Sequence, residues 1–328
     1  MLKTNILLNN KLIKEKISNE LKGINEQSQN YIKDILTLIN KEIGVNKILS
    51  IILFGSQRTR TGEVTPVSDC DLLIIFKNRV SNHHIKEIEK YFIALEIKHN
   101  FREYDTKLIK KVLGVIQQTT GIFVSHFLTK EKYWKAANFH KIFRVNKVFS
   151  SIFAPRNIVL GNVLINSTTL FGEELRTKIK PKIQINFIEM VRSTVMNLMI
   201  SFFSILLSLF KKLNAIKYQL EAIKWALKAS NYYCFRDSES LTTISERFIS
   251  FEKEKFQKRA RRFYSNFLEL RKAPFNSMGF IIRCPIRIIK IHILGISYKK
   301  MIKRKEQLII PSKKIEPIIP DWSFPLRF

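Results

Sequence analysis

Cysteine is scarce in this sequence. Its 328 residues include three cysteines, Cys70, Cys234 and Cys284, which are scattered along the chain. This number and spacing exclude a disulfide framework and a CxxC metal pair, and they favour a reducing compartment. The first residues, MLKTNILLNNKLIKEK, do not contain the long apolar run or the small-residue cleavage site of a secretory signal. We therefore expect a cytoplasmic protein.

Acidic residues are also few, since 27 Asp and Glu stand against 57 Lys and Arg, for a net charge of +30. Such a charge attracts nucleic acid, nucleotides and anionic membrane surfaces without choosing among them. No compact base-stacking motif such as an RNP box accompanies it, and a chain rich in Lys can also owe the charge to composition alone. Nucleic acid remains a possible partner. The 45% hydrophobic content indicates a folded globular protein, and the length suggests two domains.

The one candidate membrane span in the sequence is the uncharged, strongly apolar run over residues 193–210. Its length approaches that of a membrane span. Polar residues, however, recur along it at steps of three and four: Ser193, Asn197, Ser201, Ser204 and Ser208. This pattern puts a polar stripe on one helical face and predicts a helix buried in a soluble bundle, so it argues against a membrane partner.

Short apolar and β-branched runs predict buried strands over residues 47–54, 70–76 and 122–129. The polar stretch 57–68, between the first two, suggests a helix start followed by a loop. Apolar residues at helical spacing predict helices over 25–43, 84–101, 106–118, 187–212, 216–235 and 241–270. The last fifty or so residues are rich in proline and basic clusters, which indicates an irregular or partly disordered tail.

The first predicted strand ends at Gly55 and Ser56, and the second begins near Asp69 and Asp71. Glycine lets the backbone approach a phosphate, and a serine hydroxyl or helix N-terminus can donate hydrogen bonds to it. Strand periodicity puts Asp69 and Asp71 on one face, where both carboxylates can bind one or two hard cations. A simple tight turn and a pair of solvated acids are the alternatives, but the two features together favour phosphoryl or nucleotidyl transfer.

The run LFGSQRTRTGEVTPVSDCDLLIIF resembles the hG[GS]…SDxDL signature of the polymerase-beta-like nucleotidyltransferase superfamily. It is most similar to small bacterial and archaeal members related to kanamycin nucleotidyltransferase, although its QRTRT spacer is longer than usual. The resemblance implies an α+β fold, in which a small mixed β-sheet with flanking helices precedes a helical domain. TTLFGEEL (168–175) and the helix around 221–235 resemble parts of that helical domain more weakly.

The resemblance also implies a reaction, in which a nucleoside monophosphate, AMP from ATP, is transferred to a hydroxyl and pyrophosphate is released. Asp69 and Asp71 would hold two Mg²⁺ ions, while Gly55 and Ser56 would bind the β- and γ-phosphates. The acceptor can be a small aminoglycoside-like molecule, a protein hydroxyl or an RNA 3′ end, and the positive net charge favours an anionic one. The alternative is a non-catalytic nucleic-acid-binding or antitoxin-like module that retains the fold.

Basic residues next to the motif are candidates for binding the nucleotide. Arg58 and Arg60 can reach triphosphate oxygens as charge-assisted donors, although loop arginines often contact only solvent.

Members of the superfamily usually carry a third carboxylate on a later strand, but the candidate strand here, GIFVSHFLT, contains no acid. His126 can take that place as a general base, or it can be a structural residue. The third acid can also come from Asp105, Glu131 or Glu173, or be missing.

These observations predict four regions. They are an N-terminal extension (1–24), a nucleotidyltransferase catalytic domain (25–150), a helical domain (151–270) and a basic, proline-containing C-terminal tail (271–328).

Overall fold

The computed structural model describes residues 21, 24–55, 70–101, 125–179, 183–209 and 215–309. Four strands form one mixed sheet: β1 (Ile48–Phe54), β2 (Asp71–Phe76), β3 (His126–Lys130) and β4 (Ser167–Gly172). Their order across the sheet is β3-β2-β1-β4. β1 pairs antiparallel with both β2 and β4, whereas β2 and β3 run parallel. The α+β fold with a small mixed sheet is therefore confirmed.

The α-helices in the described part of the chain surround this sheet or follow it. They are α1 (Glu26–Leu38), α2 (Asn82–Lys98), α3 (Glu131–Lys135), α4 (Phe139–Ile142), α5 (Lys147–Ile152), α6 (Arg156–Ile165), α7 (Arg176–Ile179), α8 (Phe187–Ser208), α9 (Ala215–Phe235), α10 (Leu241–Ser250), α11 (Glu254–Lys272) and α12 (Met278–Ile309). A π-helical turn (Ile39–Ile43) and a 3₁₀ turn (Val45–Lys47) connect α1 to β1.

Both faces of the sheet are buried, which explains why β1 and β2 are apolar at nearly every position. Because side chains alternate along a strand, Leu72 and Ile74 pack towards α1 and α2, while Leu73 and Ile75 pack towards α3, α4 and α6. The three strands predicted from the sequence are all present. Of the third predicted segment, 122–129, the structure describes the residues from Ser125 onward, and β3 begins at His126.

The sheet extends past the domain boundary that the sequence predicted near residue 150. The segment TTLFGEEL, which resembled part of the helical domain, contains most of β4, and Ser167 lies opposite Phe54 on β1. β4 pairs with the edge of β1 that β2 leaves open, so the backbone groups of β1 are hydrogen-bonded on both sides. A strand from beyond the predicted boundary therefore completes the sheet.

Helices α8, α9 and α12 pack against one another, and the polar stripe of α8 faces into this bundle. The Ser204 hydroxyl donates to the Ala215 carbonyl oxygen (2.7 Å), and the Ser201 hydroxyl accepts from Gln219 Nε2 (2.6 Å). Asn197 bonds His292 of α12 (3.1 Å). By length and composition alone, α8 is the one described helix that could cross a membrane, and 39% of its most apolar 18-residue stretch is buried. The polar face of α8 is thus buried, but the prediction of a helix buried in the bundle holds for that face alone, because apolar side chains such as Phe202 and Leu206 on the other face are exposed.

The C-terminal tail differs most from the sequence-based expectation. Residues 278–309 form the 32-residue helix α12 rather than an irregular segment, and Pro285 lies within it. Ile281, Cys284, Ile288 and Ile291 recur at helical spacing and are fully buried against the bundle. This burial outweighs the cost of the proline.

The single helix predicted over 241–270 is instead two helices, α10 and α11, and Ser240 caps the first of them. The helix start and loop predicted over 57–68 and the helix predicted over 106–118 lie outside the described residues.

Candidate functional site

Gly55 ends β1 in a conformation that favours glycine, with a φ of +83°. Antiparallel pairing sets Phe54 opposite Asp71, so the turn at Gly55 lies beside the Asp71 carboxylate. A Cβ atom added at Gly55 would be 2.0 Å from Asp71 Oδ2. The phosphate-binding glycine and the metal-binding aspartate predicted from the sequence are therefore in direct proximity, and only glycine leaves room for that carboxylate.

A cleft opens at this point between the sheet and the helices α6, α8 and α9. Gly55 and Asp71 lie on its sheet side. Its polar lining from the helices consists of Asn162, Asn166, Ser193, Asn197, Glu221, Lys224 and Lys228. A cleft that combines an apolar wall with a few convergent charged groups is a typical ligand-binding site.

Lys228 of α9 faces this cleft and is half-buried. Burial, reinforced by the positive charges of Lys224 and Arg271, lowers its pKa to about 8, although the carboxylates of Glu221 and Asp71 act in the opposite direction. The electrostatic interaction with Asp71 connects the helical side of the cleft to the sheet side. Lys228 is therefore a cation, with a perturbed pKa, available for an anionic ligand beside Asp71.

Glu221, one helical turn before Lys224, is a buried carboxylate with two cationic partners. It forms ion pairs with Lys224 and with Arg271 Nη1, the latter at 3.3 Å. Burial by itself would raise the pKa of Glu221, but the charges of Lys224 and Arg271 outweigh it, so the pKa lies below its ordinary value. Glu221 therefore stays ionised and holds Lys224 at the wall of the cleft.

His126 lies on the opposite face of the sheet from Asp71, so it does not take the place of a third carboxylate beside Asp71. Parallel pairing sets His126 opposite Leu72, whose side chain points towards α1 and α2. The imidazole is buried, its Nδ1 lies 2.7 Å from Glu96 Oε1, and its ring packs against Phe92 of α2. This geometry contradicts the general-base role and favours the structural alternative.

Two of the alternative third acids lie at the far end of the sheet. Glu131 follows the last residue of β3, where it accepts a hydrogen bond from Asn78 and pairs with Lys135. Glu173 follows β4, and its backbone N–H donates to the Leu49 carbonyl oxygen at the start of β1. Neither carboxylate can share a cation with Asp71. Asp105, the remaining alternative, lies outside the described residues.

Several predicted site residues also lie outside the described residues: Ser56, Arg58, Arg60 and Asp69. Among the described residues, no three His, Cys, Asp or Glu side chains form a metal-binding group. The Asp71 carboxylate nevertheless suits a hard cation, because it stands at the mouth of the cleft beside a backbone turn without a side chain.

Sequence reasoning did not identify Lys224, Lys228 and Glu221. In EAIKWALKAS they recur at steps of three and four, which puts them on one side of a helix. This spacing was the sequence pattern that could have identified them. In a chain with 57 basic residues, two lysines at this spacing do not stand out.

Residues 32–142 match the family model of the nucleotidyltransferase domain. This stretch includes β1, β2 and β3, and hence Gly55 and Asp71. Among solved structures, the chain is similar to the spectinomycin adenyltransferase of Enterococcus faecialis, crystallised with ATP and spectinomycin. That comparison covers 81% of this chain and 98% of the other at 8% identity, with a TM-score of 0.43. No curated protein matches the chain.

Proposed function

Because residues 32–142 match the family model of the nucleotidyltransferase domain, we propose that the chain is an enzyme that transfers AMP from ATP to a hydroxyl acceptor and releases pyrophosphate. The observation that carries the proposal is the contact between the Gly55 turn and the Asp71 carboxylate at the mouth of the cleft. A turn that admits phosphate beside a carboxylate that binds a hard cation is what nucleotidyl transfer needs.

Different motif residues bind different parts of the triphosphate and its metal ions. The backbone at Gly55 and the hydroxyl of Ser56 would bind the β- and γ-phosphates, and Arg58 and Arg60 would donate hydrogen bonds to further triphosphate oxygens. Asp69 and Asp71 would hold two Mg²⁺ ions. When bound, magnesium neutralises triphosphate charge and lowers the pKa of the attacking hydroxyl.

Lys224 and Lys228 complete the phosphate site from the helical side. Both lie on α9 across the cleft from Gly55, and Lys228 interacts electrostatically with Asp71. A triphosphate between them would be attracted from both walls of the cleft, because the interaction of charges is strong where water is partly excluded. The helical region thus contributes to nucleotide binding as well as to the shape of the cleft.

The proposal is tested by incubating the full chain with MgCl₂, a cell extract and each of four nucleoside triphosphates labelled at the α-phosphate. We expect label from ATP to appear in an acceptor, and label from CTP, GTP and UTP to appear much less. Parallel reactions with ATP labelled at the γ-phosphate should release the label as pyrophosphate. Transfer of the γ-label to an acceptor, or release of free phosphate alone, would contradict nucleotidyl transfer.

Affinity for ATP should fall as the pH rises through about 8, because Lys228 then loses the proton that lets it attract phosphate. An unperturbed lysine would keep its charge until a pH of about 10.4. Lys228→Met should bind ATP about tenfold more weakly at neutral pH, as expected for the loss of one charge-assisted contact, and should show a flatter pH profile. Calorimetric titration across this pH range measures both effects.

The matched control for this experiment is Lys258→Met, which removes an equal charge from an exposed position on α11. It should leave both the affinity and the pH profile unchanged. Equal losses in the two variants would instead mean that only the overall positive charge matters.

A further inference from the structure

Aromatic and aliphatic side chains line the cleft on the side of β3. Phe127 of β3 packs against Phe143, with ring centroids 5.2 Å apart, and Phe139 lies 4.8 Å from Phe143. Phe149 of α5 and Val159 of α6 are half-buried and extend this wall. We call these five residues the aromatic chamber.

If the cleft binds ATP as proposed above, the aromatic chamber lies where the acceptor enters. Gly55 ends β1, Asp71 begins β2, and Phe127 belongs to β3, which flanks β2 on the side away from β1. In phosphoryl transfer, the attacking and leaving oxygens lie roughly in line on opposite sides of the phosphorus. With pyrophosphate held at Gly55, the acceptor hydroxyl approaches from the β3 side, through the aromatic chamber.

The charges that line the cleft are unsuited to a cationic acceptor. Among the described lining residues, the carboxylates are Asp71 and Glu221. Asp71 is assigned to the metal, and Glu221 is already paired with Lys224 and Arg271. A polycation would therefore lose its hydration in an apolar chamber without gaining a free carboxylate from the described lining of the cleft.

We propose that the acceptor is an uncharged or anionic hydroxyl compound with an aromatic or similarly hydrophobic body, and that the cleft excludes polycations of the aminoglycoside type. Aromatic walls bind planar apolar groups through offset and edge-to-face contacts. Half-buried Phe149 and Val159 supply the contact surface, and Lys224 and Lys228 tolerate negative charge on the acceptor. Asp71, beside the chamber, marks where the acceptor hydroxyl must point.

The test uses 6-hydroxynaphthalene-2-sulfonate, an anionic aromatic alcohol, and kanamycin, a polycation, each titrated calorimetrically into the full-length protein. We expect the naphthol to bind and kanamycin not to bind. Phe149→Ala should weaken naphthol binding about tenfold through lost ring contacts. Val148→Ala, at a 65% exposed position on the same helix, is the matched control and should bind as the wild type does. Val159→Ala provides a second chamber variant if Phe149→Ala melts early.

Binding of kanamycin to the wild type, or naphthol binding that neither chamber variant changes, would overturn the inference. ATP affinity should be equal in Phe149→Ala and the wild type. If that variant loses ATP affinity instead, the chamber holds the nucleobase and the inference is also overturned. Failure of the proposed function has a different signature, since the wild type would then neither bind ATP nor transfer its α-label, whatever the naphthol does.

Discussion

Replacing Asp71 by Asn should lower metal-dependent nucleotidyl transfer on the order of 10³-fold, because the change removes a charged ligand from the cation site, worth several kcal/mol of transition-state stabilisation. Asp69→Asn should have the same effect. The side chains keep their shape and Asp71 is only half-buried, so the folded state should be as stable as the wild type. Initial rates with α-labelled ATP at several magnesium concentrations, together with thermal melting, measure the two properties separately.

Glu131→Gln is the control for both substitutions. It removes a carboxylate from the far end of the same sheet, where Glu131 contacts Asn78 and Lys135 rather than the cleft. Its rate should equal that of the wild type. Full activity in Asp71→Asn would remove this residue from the metal site, even if the enzyme proved to be a nucleotidyltransferase.

Replacing Gly55 by Val should abolish detectable ATP binding. The new Cβ would lie 2.0 Å from Asp71 Oδ2, so the carboxylate would have to move, and the branched side chain would stand where the backbone meets phosphate. The positive φ of Gly55 adds strain of about 1–3 kcal/mol for a residue other than glycine. Ser56→Ala should weaken binding more mildly, because it removes one hydroxyl donor. Calorimetric titration with ATP and magnesium measures the affinity of each variant.

Gly44→Val separates the loss of binding from the loss of stability. Gly44 also has a positive φ, +89°, but it precedes β1 and so lies at the opposite end of that strand from Gly55. A Cβ there would meet only the end of the Asn46 side chain, at 3.1 Å. This variant should melt earlier than the wild type while binding ATP normally. Equal ATP affinity in Gly55→Val and Gly44→Val would show that the backbone at Gly55 does not contact the triphosphate.

The error at His126 illustrates what a single strand cannot reveal. The sequence predicts a strand there, and the structure contains one, but the face on which His126 lies depends on how β3 is aligned with β2. A shift of one residue would exchange the two faces. Parallel pairing of Leu72 with His126 points the imidazole to Glu96 and Phe92, and leaves Phe127 on the Asp71 side. That register arises from contacts between distant parts of the chain, which a local pattern does not encode.

The helical side of the site shows the same limit. Lys224 and Lys228 are neighbours on α9 by their spacing, but their exposure to the cleft follows from the rotation that buries the rest of α9 against α8 and α12. Likewise, α12 forms despite Pro285 because packing against that bundle supplies the burial. Proline content indicated an irregular tail because local propensity does not include such tertiary contacts.

The sequence by itself determined the elements whose signals are local. These are the apolar strands β1 and β2, the turn at Gly55, and the Asp71 carboxylate at the start of β2, because strand alternation and glycine geometry act over a few residues. Tertiary structure alone decided the addition of β4 to the sheet, the register that turns His126 away, and the approach of Lys228 and the aromatic chamber to Asp71. Those outcomes depend on which distant surfaces bury one another, and burial is a property of the packed chain rather than of any one segment.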